Sequence, residues 1–131
     1  MEKRTQVSVV MENSPGQLGR LCRVLAQADV NIRGICVADA ADVSVIRLLV
    51  SDTAAAERAL RQSGVTFSTQ DVLLVQLDDR PGALEDVAIR LGQAGVNLHY
   101  VYGAANGPEG KAQLVLRVSD VETAAQILND V

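Results

Sequence analysis

Residues 12–21, ENSPGQLGRL, and residues 78–87, DDRPGALEDV, are two versions of one phrase. In both, a proline and a glycine precede leucines at helical spacing, and an amide or acidic residue stands two positions before the proline. The alignment continues through DVNIRGICVA with GVNLHYVYGA and, after a two-residue insertion in the second copy, through LLVSDTAAAERAL with LRVSDVETAAQIL. A repeat of this length predicts two homologous modules, residues 6–69 and 71–131.

Each module has the pattern of an α+β fold. In the first, QVSVVM, NIRGICVA, VSVIRLLV and VTFST are short β-branched runs, and two helical segments separate the first strand from the second and the third from the fourth. The order strand, helix, strand, strand, helix, strand is the ferredoxin-like βαββαβ pattern. We therefore predict two such modules in tandem, each an antiparallel sheet with both helices on one face.

The second module lacks its last strand, because the sequence ends after the second helical segment. Its sheet edge is then short and exposed, or is covered by the linker TFSTQ, by the N-terminal residues or by another subunit. We predict another subunit. The strands also alternate poorly between apolar and polar residues, and burial of both faces is favourable, so the modules or two chains of a homodimer are expected to pack through their sheets.

The composition excludes several classes of protein. The formal charge is −4 and the basic residues are scattered, which argues against binding to nucleic acid. Only two tyrosines and one phenylalanine are available for base stacking or a membrane belt. The charged start, MEKRTQ, does not resemble a signal peptide or a membrane span, so a cytoplasmic location is expected.

No residue pattern indicates a metal, a cofactor or a catalytic group. Cys22 and Cys36 have the spacing of neither a redox pair nor a zinc cluster, and we interpret both as packing residues, with Cys22 beside Leu18 in a buried helical stripe. The single histidine, His99, is interpreted as a partly buried structural residue. The segment GAANGPEGKA (103–112) is either a hairpin tip, which its Asn-Gly turn signal favours, or a loop that closes on a ligand.

The repeated phrase predicts a binding site for a small zwitterion. Pro15 suits the first turn of a helix, and Ser14 with Gln17 has the spacing of a capping box. Gly16 leaves the unpaired amides of the helix start accessible, where the helix dipole favours a carboxylate. The side-chain oxygen of Asn13 can accept a hydrogen bond from an ammonium group.

The second copy repeats these positions with Gly82 and with Asp79, whose acceptor is charged. Asn31 and Asn97 begin the second strand of each module and supply a further amide, which we expect at the same mouth. The alternative is that the proline-glycine turns only start helices and that the two asparagines only cap turns.

These residues resemble the ACT domain, a small ligand-binding module of amino-acid-metabolism enzymes and regulators. The resemblance covers residues 6–128 and rests on ENSPGQLGRLCRVLAQADVNI and DDRPGALEDVAIRLGQAGVNL, and the layout looks like the stand-alone tandem ACT proteins. It implies an amino acid held at a domain interface by Asn13 and Asn31, and by Asp79 and Asn97 in the second copy. Met11 stands where the serine-binding subtype has a histidine, so the resemblance does not specify serine.

The predicted function is a non-catalytic regulatory protein that binds an amino acid or a similar small metabolite, with a metabolic enzyme or regulator as its partner. A structural or regulatory subunit without its own ligand is the first alternative. A small acylphosphatase-like hydrolase is the second, although it would need more than the lone Arg80 beside Pro81.

Overall fold

The computed structural model describes residues 1–105 and 107–131. The chain divides into two compact units: the first unit is Thr5–Gln70, and the second unit is Met1–Arg4 with Asp71–Val131. The Asn-Gly turn predicted at Asn106 lies outside the described residues. The elements in chain order are β1 (Glu2–Glu12), α1 (Gln17–Gln27), β2 (Ile32–Ala40), β3 (Val43–Val50), α2 (Thr53–Gln62), β4 (Phe67–Asp78), α3 (Ala83–Gln93), β5 (Leu98–Ala104), β6 (Lys111–Val118) and α4 (Val121–Ile127).

In the first unit, β3 is the central strand of an antiparallel sheet. It pairs with β1 from Val7↔Leu48 to Glu12↔Val43 and with β2 from Ile32↔Val50 to Ala40↔Val43. The start of β4 lies beside β1, where Gln6 Nε2 donates to Gln70 Oε1 at 2.9 Å. Both helices cover one face, and the core there consists of Val7, Val9, Met11, Leu21, Leu25, Val30, Ile46, Leu48, Val50, Ala56 and Leu60.

The second unit repeats this arrangement around β6. That strand pairs antiparallel with β4 from Leu73↔Leu116 to Asp78↔Lys111, and with β5 from Leu98↔Val118 to Ala104↔Gln113. Its buried core under α3 and α4 consists of Leu73, Val75, Leu77, Ala83, Val87, Leu91, Val96, Leu116, Val118, Ala124, Ala125 and Leu128.

The sequence predicts that another subunit covers the open sheet edge of the second unit. The structure corrects this, because residues of the same chain lie there. No strand follows α4 in the described part of the chain, but residues 1–4 of the same chain belong to this unit. Met1 packs against its core, and Lys3 Nζ lies 2.7 Å from Glu122 Oε2. The charged residues of MEKRTQ are compatible with this position because they sit on an extended segment whose side chains stay partly in water.

The faces opposite the helices also contain buried residues, as the poor alternation of the strands predicted. Gln6 and Leu49 are buried on this face of the first unit, and Val72 and Val115 on that of the second. The predicted helical stripe needs a correction, because Leu18 is 42% exposed and Cys22 only half-buried. The side chains of α1 that enter the core are Leu21 and Leu25, one helical turn apart.

The helix starts at α2 and α4 are capped by aspartates. The side chain of Asp52 accepts from Ala55 N, and that of Asp120 from Thr123 N at 3.1 Å. The spacing Ser119-x-x-Glu122 in the sequence predicts a capping box at the start of α4, but the structure puts the cap one residue later, at Asp120. The Thr123 hydroxyl also donates to Asp120, and these two hydrogen bonds lower the pKa of that carboxyl.

Candidate functional site

The repeated proline-glycine turns open α1 and α3 in the same conformation. Gly16 has φ 90° and ψ −12°, Gly82 has φ 86° and ψ −8°, and each is the N-cap of its helix. This left-handed region is costly for a residue with a Cβ atom, which explains the glycine. Within residues 1–105 and 107–131, no side chain hydrogen-bonds to either helix start as a cap. Amides of the first turn are therefore not capped by a side chain.

The prediction that Pro15 lies in the first turn and that Ser14 and Gln17 form a capping box is wrong. Pro15 precedes the N-cap, and the helix begins at Gln17. Ser14 contributes its carbonyl oxygen, which accepts from Gln17 N at 3.3 Å, and not its hydroxyl. The reason is the left-handed Gly16, which turns the chain into the helix without a side-chain cap.

Asn13 is clamped to the β2–β3 hairpin. Its backbone N–H donates to Asp42 O at 2.9 Å, and its side-chain Nδ2 donates to Asp39 Oδ1 at 2.9 Å and to Ala41 O at 3.3 Å. Both amide hydrogens are then used, which fixes the side chain. The Oδ1 atom is the part of this group that can accept a hydrogen bond from a ligand.

Asp79 occupies the equivalent position in the second unit. Its backbone N–H donates to Gly110 O at 2.9 Å, so the residue just before β6 holds the loop here as the β2–β3 hairpin does in the first unit. Among residues 1–105 and 107–131, the Asp79 carboxylate has no ion pair or hydrogen bond. Each turn thus presents an oxygen acceptor close to a helix start.

Within their own units, Asn31 and Asn97 do not lie near the proline-glycine turns. Asn31 N donates to Ser51 Oγ at 2.9 Å, and Asn97 N donates to Ser119 Oγ at 2.9 Å. Ser51 follows β3, whereas the Asn13 loop contacts Asp42 before β3. At about 3.3 Å per residue along β3, Asp42 and Ser51 are roughly 30 Å apart. The side chain of Asn97 instead contacts His99, 3.2 Å from its Nδ1 atom, and His99 is exposed rather than partly buried.

The charged side chains around the proline-glycine turn of the second unit form ion pairs with one another. Arg80 Nη2 lies 2.8 Å from Asp86 Oδ2, Lys111 Nζ contacts Asp78 Oδ1, and Glu85 and Asp86 stand in the first turn of α3. A methyl group placed on Gly82 would lie 3.6 Å from Arg80 Nη1. The hydrogen bond from Lys111 lowers the pKa of Asp78, and the one to Asp86 raises that of Arg80. These exposed pairs add little stability, but they surround the helix start with the chain's own charges.

The proline-glycine turn of the first unit is open to solvent. A methyl group placed on Gly16 would have no atom within 4 Å, and the first turn of α1 contains no acid. Beside it lies a groove of about 320 Å³ between the end of β1, α1 and the α2–β4 loop, lined by Val10, Met11, Glu12, Gln17, Arg20, Gly64, Val65 and Thr66. The Arg20 guanidinium in this groove has a 3.5 Å contact with Ser63 O, which is a weak hydrogen bond at best.

Sequence reasoning missed Arg20, Asp39 and the two serines that bind Asn31 and Asn97. Arg20 had a usable signal, because the alignment of the two copies places it opposite Asp86, a reversal of charge at one helical position. Asp39 had none, because its contact with Asn13 depends on the hairpin that brings the two together.

The described residues contain no cluster of three or more histidine, cysteine or acidic side chains that could hold a metal ion. In the same part of the chain, no helix is long and apolar enough to cross a membrane.

Comparison with known proteins identifies the family. The model of the ACT domain pair matches residues 3–130. The structure of protein BT0572 from Bacteroides thetaiotaomicron superposes with a TM-score of 0.91 at 30% identity, covering 98% of this chain and 88% of that one. No curated protein sequence matches the chain.

Two more distant structures show the same fold at low identity. They are the regulatory subunits of aspartate kinase from Thermus thermophilus (TM-score 0.71, 14% identity, 96% of this chain and 90% of that chain) and Thermus flavus (TM-score 0.62, 14% identity, 99% and 92%). The family model covers nearly the whole sequence and falls on the residues that build both turns. The chain therefore belongs to the ACT domain pair family.

Proposed function

We propose that this protein is a non-catalytic regulator that binds an α-amino acid or a similar small metabolite at its proline-glycine turns. The observation that carries the proposal is the repeated pairing of an uncapped, glycine-opened helix start with a held oxygen acceptor, Asn13 in one copy and Asp79 in the other. Helix-start amides suit a carboxylate, and the acceptor suits an ammonium group. An α-amino acid has both groups on adjacent atoms.

The proposed ligand residues are Asn13, Ser14 and Gly16 in the first copy and Asp79 and Gly82 in the second. Asn31 and Asn97 lie at the other end of their units, so each can join such a site only from outside the unit that supplies the turn. This form of the proposal agrees with the expected homodimer and with the domain interface that the family resemblance implies. We also propose that the two ferredoxin-like modules span residues 6–69 and 71–131 and that the protein acts in the cytoplasm.

Regulation requires that the ligand prefer one arrangement of the protein over another, because a ligand with equal affinity for both shifts nothing. The hairpins that hold Asn13 and Asp79 offer a route, since a ligand on either side chain also bears on residues 39–42 or on Gly110. We propose that a metabolic enzyme or another regulator reads this change. The same fold serves as a regulatory subunit of aspartate kinase in Thermus.

The alternative is a structural or regulatory subunit that binds no ligand of its own. One observation favours it for the second unit, where Arg80, Asp86, Asp78 and Lys111 already satisfy one another around the helix start. A hydrolase of the acylphosphatase kind is the remaining alternative, and turnover of an acyl phosphate by the purified protein would establish it.

The proposal is tested by the thermal stability of the protein with each of the twenty amino acids. We expect one amino acid, or a few related ones, to raise the melting temperature saturably, because a ligand at 100 times its Kd adds about 2.7 kcal/mol. Loss of the shift in Asn13→Ala would assign the ligand to the turn of the first unit and loss in Asp79→Ala to that of the second, whereas Gln93→Ala, at the exposed end of α3, should keep it. If no amino acid stabilises the protein at 10 mM, the ligand-free subunit becomes the better account.

A further inference from the structure

The groove beside α1 in the first unit has the size and the charges for one small zwitterion. Its volume of about 320 Å³ is at the lower end of the range for small-molecule sites. Glu12 lines one side and Arg20 the other, and neither forms an ion pair with the residues that the structure describes. A guanidinium binds a carboxylate through two parallel hydrogen bonds, and a carboxylate binds an ammonium.

The helix that carries Arg20 adds to the same preference. The first turn of α1 has no acidic residue and, among the described residues, no side-chain cap, so nothing within the helix start itself offsets its positive end. A ligand carboxylate at Arg20 would also be close to this end. In the described part of the chain the guanidinium contacts Ser63 O, at the C-cap of α2, and this contact is long enough to be exchanged for a stronger one.

The corresponding groove of the second unit differs in its charges. It measures about 270 Å³ and is lined by the equivalent end of β4 and the start of α3. Arg80 pairs with Asp86, Lys111 with Asp78, and Arg90 Nη2 with Asp130 Oδ1 at 2.6 Å. The hydrogen bond from Arg90 also lowers the pKa of Asp130. Every cation of this groove therefore has a carboxylate of the chain beside it.

Position by position, the repeat places Asp86 where the first unit has Arg20. A ligand carboxylate entering the second groove would meet a fixed negative charge and would have to displace Asp86 from Arg80. In the first groove it would meet an unpaired guanidinium. Opposite charges attract and like charges repel, so this helical position favours a carboxylate in the first groove, where it is Arg20, and disfavours one in the second, where it is Asp86.

We infer that each chain binds one ligand molecule, in the first unit only, and that Arg20 holds its carboxylate while Glu12 faces its ammonium group. The inference rests on the proposed function and extends it to the stoichiometry and to a residue that the turns alone do not include. The ion pairs of the second groove take the place that a ligand has in the first.

Calorimetric titration tests this inference with matched ligands and variants. The probes are the twenty L-amino acids and, for those that bind, the corresponding carboxamides, which lack the carboxylate. We expect a stoichiometry of one per chain. Arg20→Met should weaken amino-acid binding about 10- to 100-fold, as for loss of a charged hydrogen bond, and leave carboxamide binding unchanged. Arg80→Met should leave both unchanged.

Two outcomes overturn the inference while the proposed function stands: two ligands per chain, or an amino-acid affinity unaffected by Arg20→Met. Absence of binding by every amino acid to the unaltered protein contradicts the proposed function itself. Because Arg20 is exposed, the variant should fold, and an unchanged melting temperature without ligand would verify this.

Discussion

Leu25→Ala is expected to lower the free energy of unfolding by about 2–5 kcal/mol, the range for a leucine truncated in a close-packed core. Leu25 is 0% exposed and lies between the sheet of the first unit and α2. Its removal loses apolar burial and leaves a cavity that the neighbouring strands can only partly close. Urea denaturation followed by circular dichroism would measure the change.

Leu18→Ala is the matched control, because it makes the same chemical change on the solvent-exposed face of the same helix. Leu18 is 42% exposed, so the loss should stay below about 1 kcal/mol. Leu91→Ala should repeat the large effect in the second unit, where Leu91 occupies the same position of the repeat and is buried. Equal effects of the Leu18 and Leu25 variants would show that the assigned helix face is wrong.

Deletion of Glu2–Arg4 is expected to destabilise the second unit by about 2–4 kcal/mol. These residues are the part of β1 that belongs to this unit, and each backbone hydrogen bond of a strand contributes about 0.5–1.5 kcal/mol net. Deletion also displaces Met1 from the core and leaves the edge of β4 in water. Hydrogen exchange of the amides in residues 71–78 should become faster.

Lys3→Ala separates the strand from its side chain. It removes the ion pair with Glu122, whose members are 48% and 78% exposed, and should cost less than about 1 kcal/mol. If the deletion were no worse than this substitution, or if exchange changed only in residues 5–70, residues 2–4 would not serve the second unit as described.

The helices and most strands were predictable from the sequence, because the repeat gives two aligned segments with the same hydrophobic pattern for most of these elements. The course of β1 and β4 was not. The sequence pattern predicts strands at 6–11 and 65–69, with TFSTQ (66–70) as the linker between the modules. In the structure, β1 starts at Glu2 and β4 runs unbroken from Phe67 to Asp78. No glycine or proline interrupts residues 67–78, which was the available signal.

The candidate site was predictable in part. Loop residues next to each proline were correctly placed beside a helix start, but the conformation of Gly16 and Gly82, which makes them the caps, has no sequence signal that separates it from a capping box. Asn31 was expected at the mouth of Asn13. An eleven-residue helix is about 16 Å long and returns the chain to the other end of the sheet, so the topology itself argues against that placement.

Paired charges explain why the two copies differ despite their common turn. The hydrophobic periodicity of α1 and α3 predicts the same for Arg20 and Asp86, namely an exposed polar position on a helix. Only the structure shows that Asp86 forms an ion pair with Arg80, whereas Arg20, among the described residues, has a long contact with the carbonyl of Ser63. We propose that these contacts decide which of the two turns is available to a ligand.

The most direct test of the account is a ¹H–¹⁵N NMR titration of the protein with the amino acid that stabilises it most. We predict saturable shifts that are largest at the backbone amides of residues 16–20, where the first turn of α1 and Arg20 meet the ligand. Shifts confined to the opposite end of the unit, around Asn31 and Ser51, or the absence of any saturable shift, would contradict the claim that this helix start receives the carboxylate.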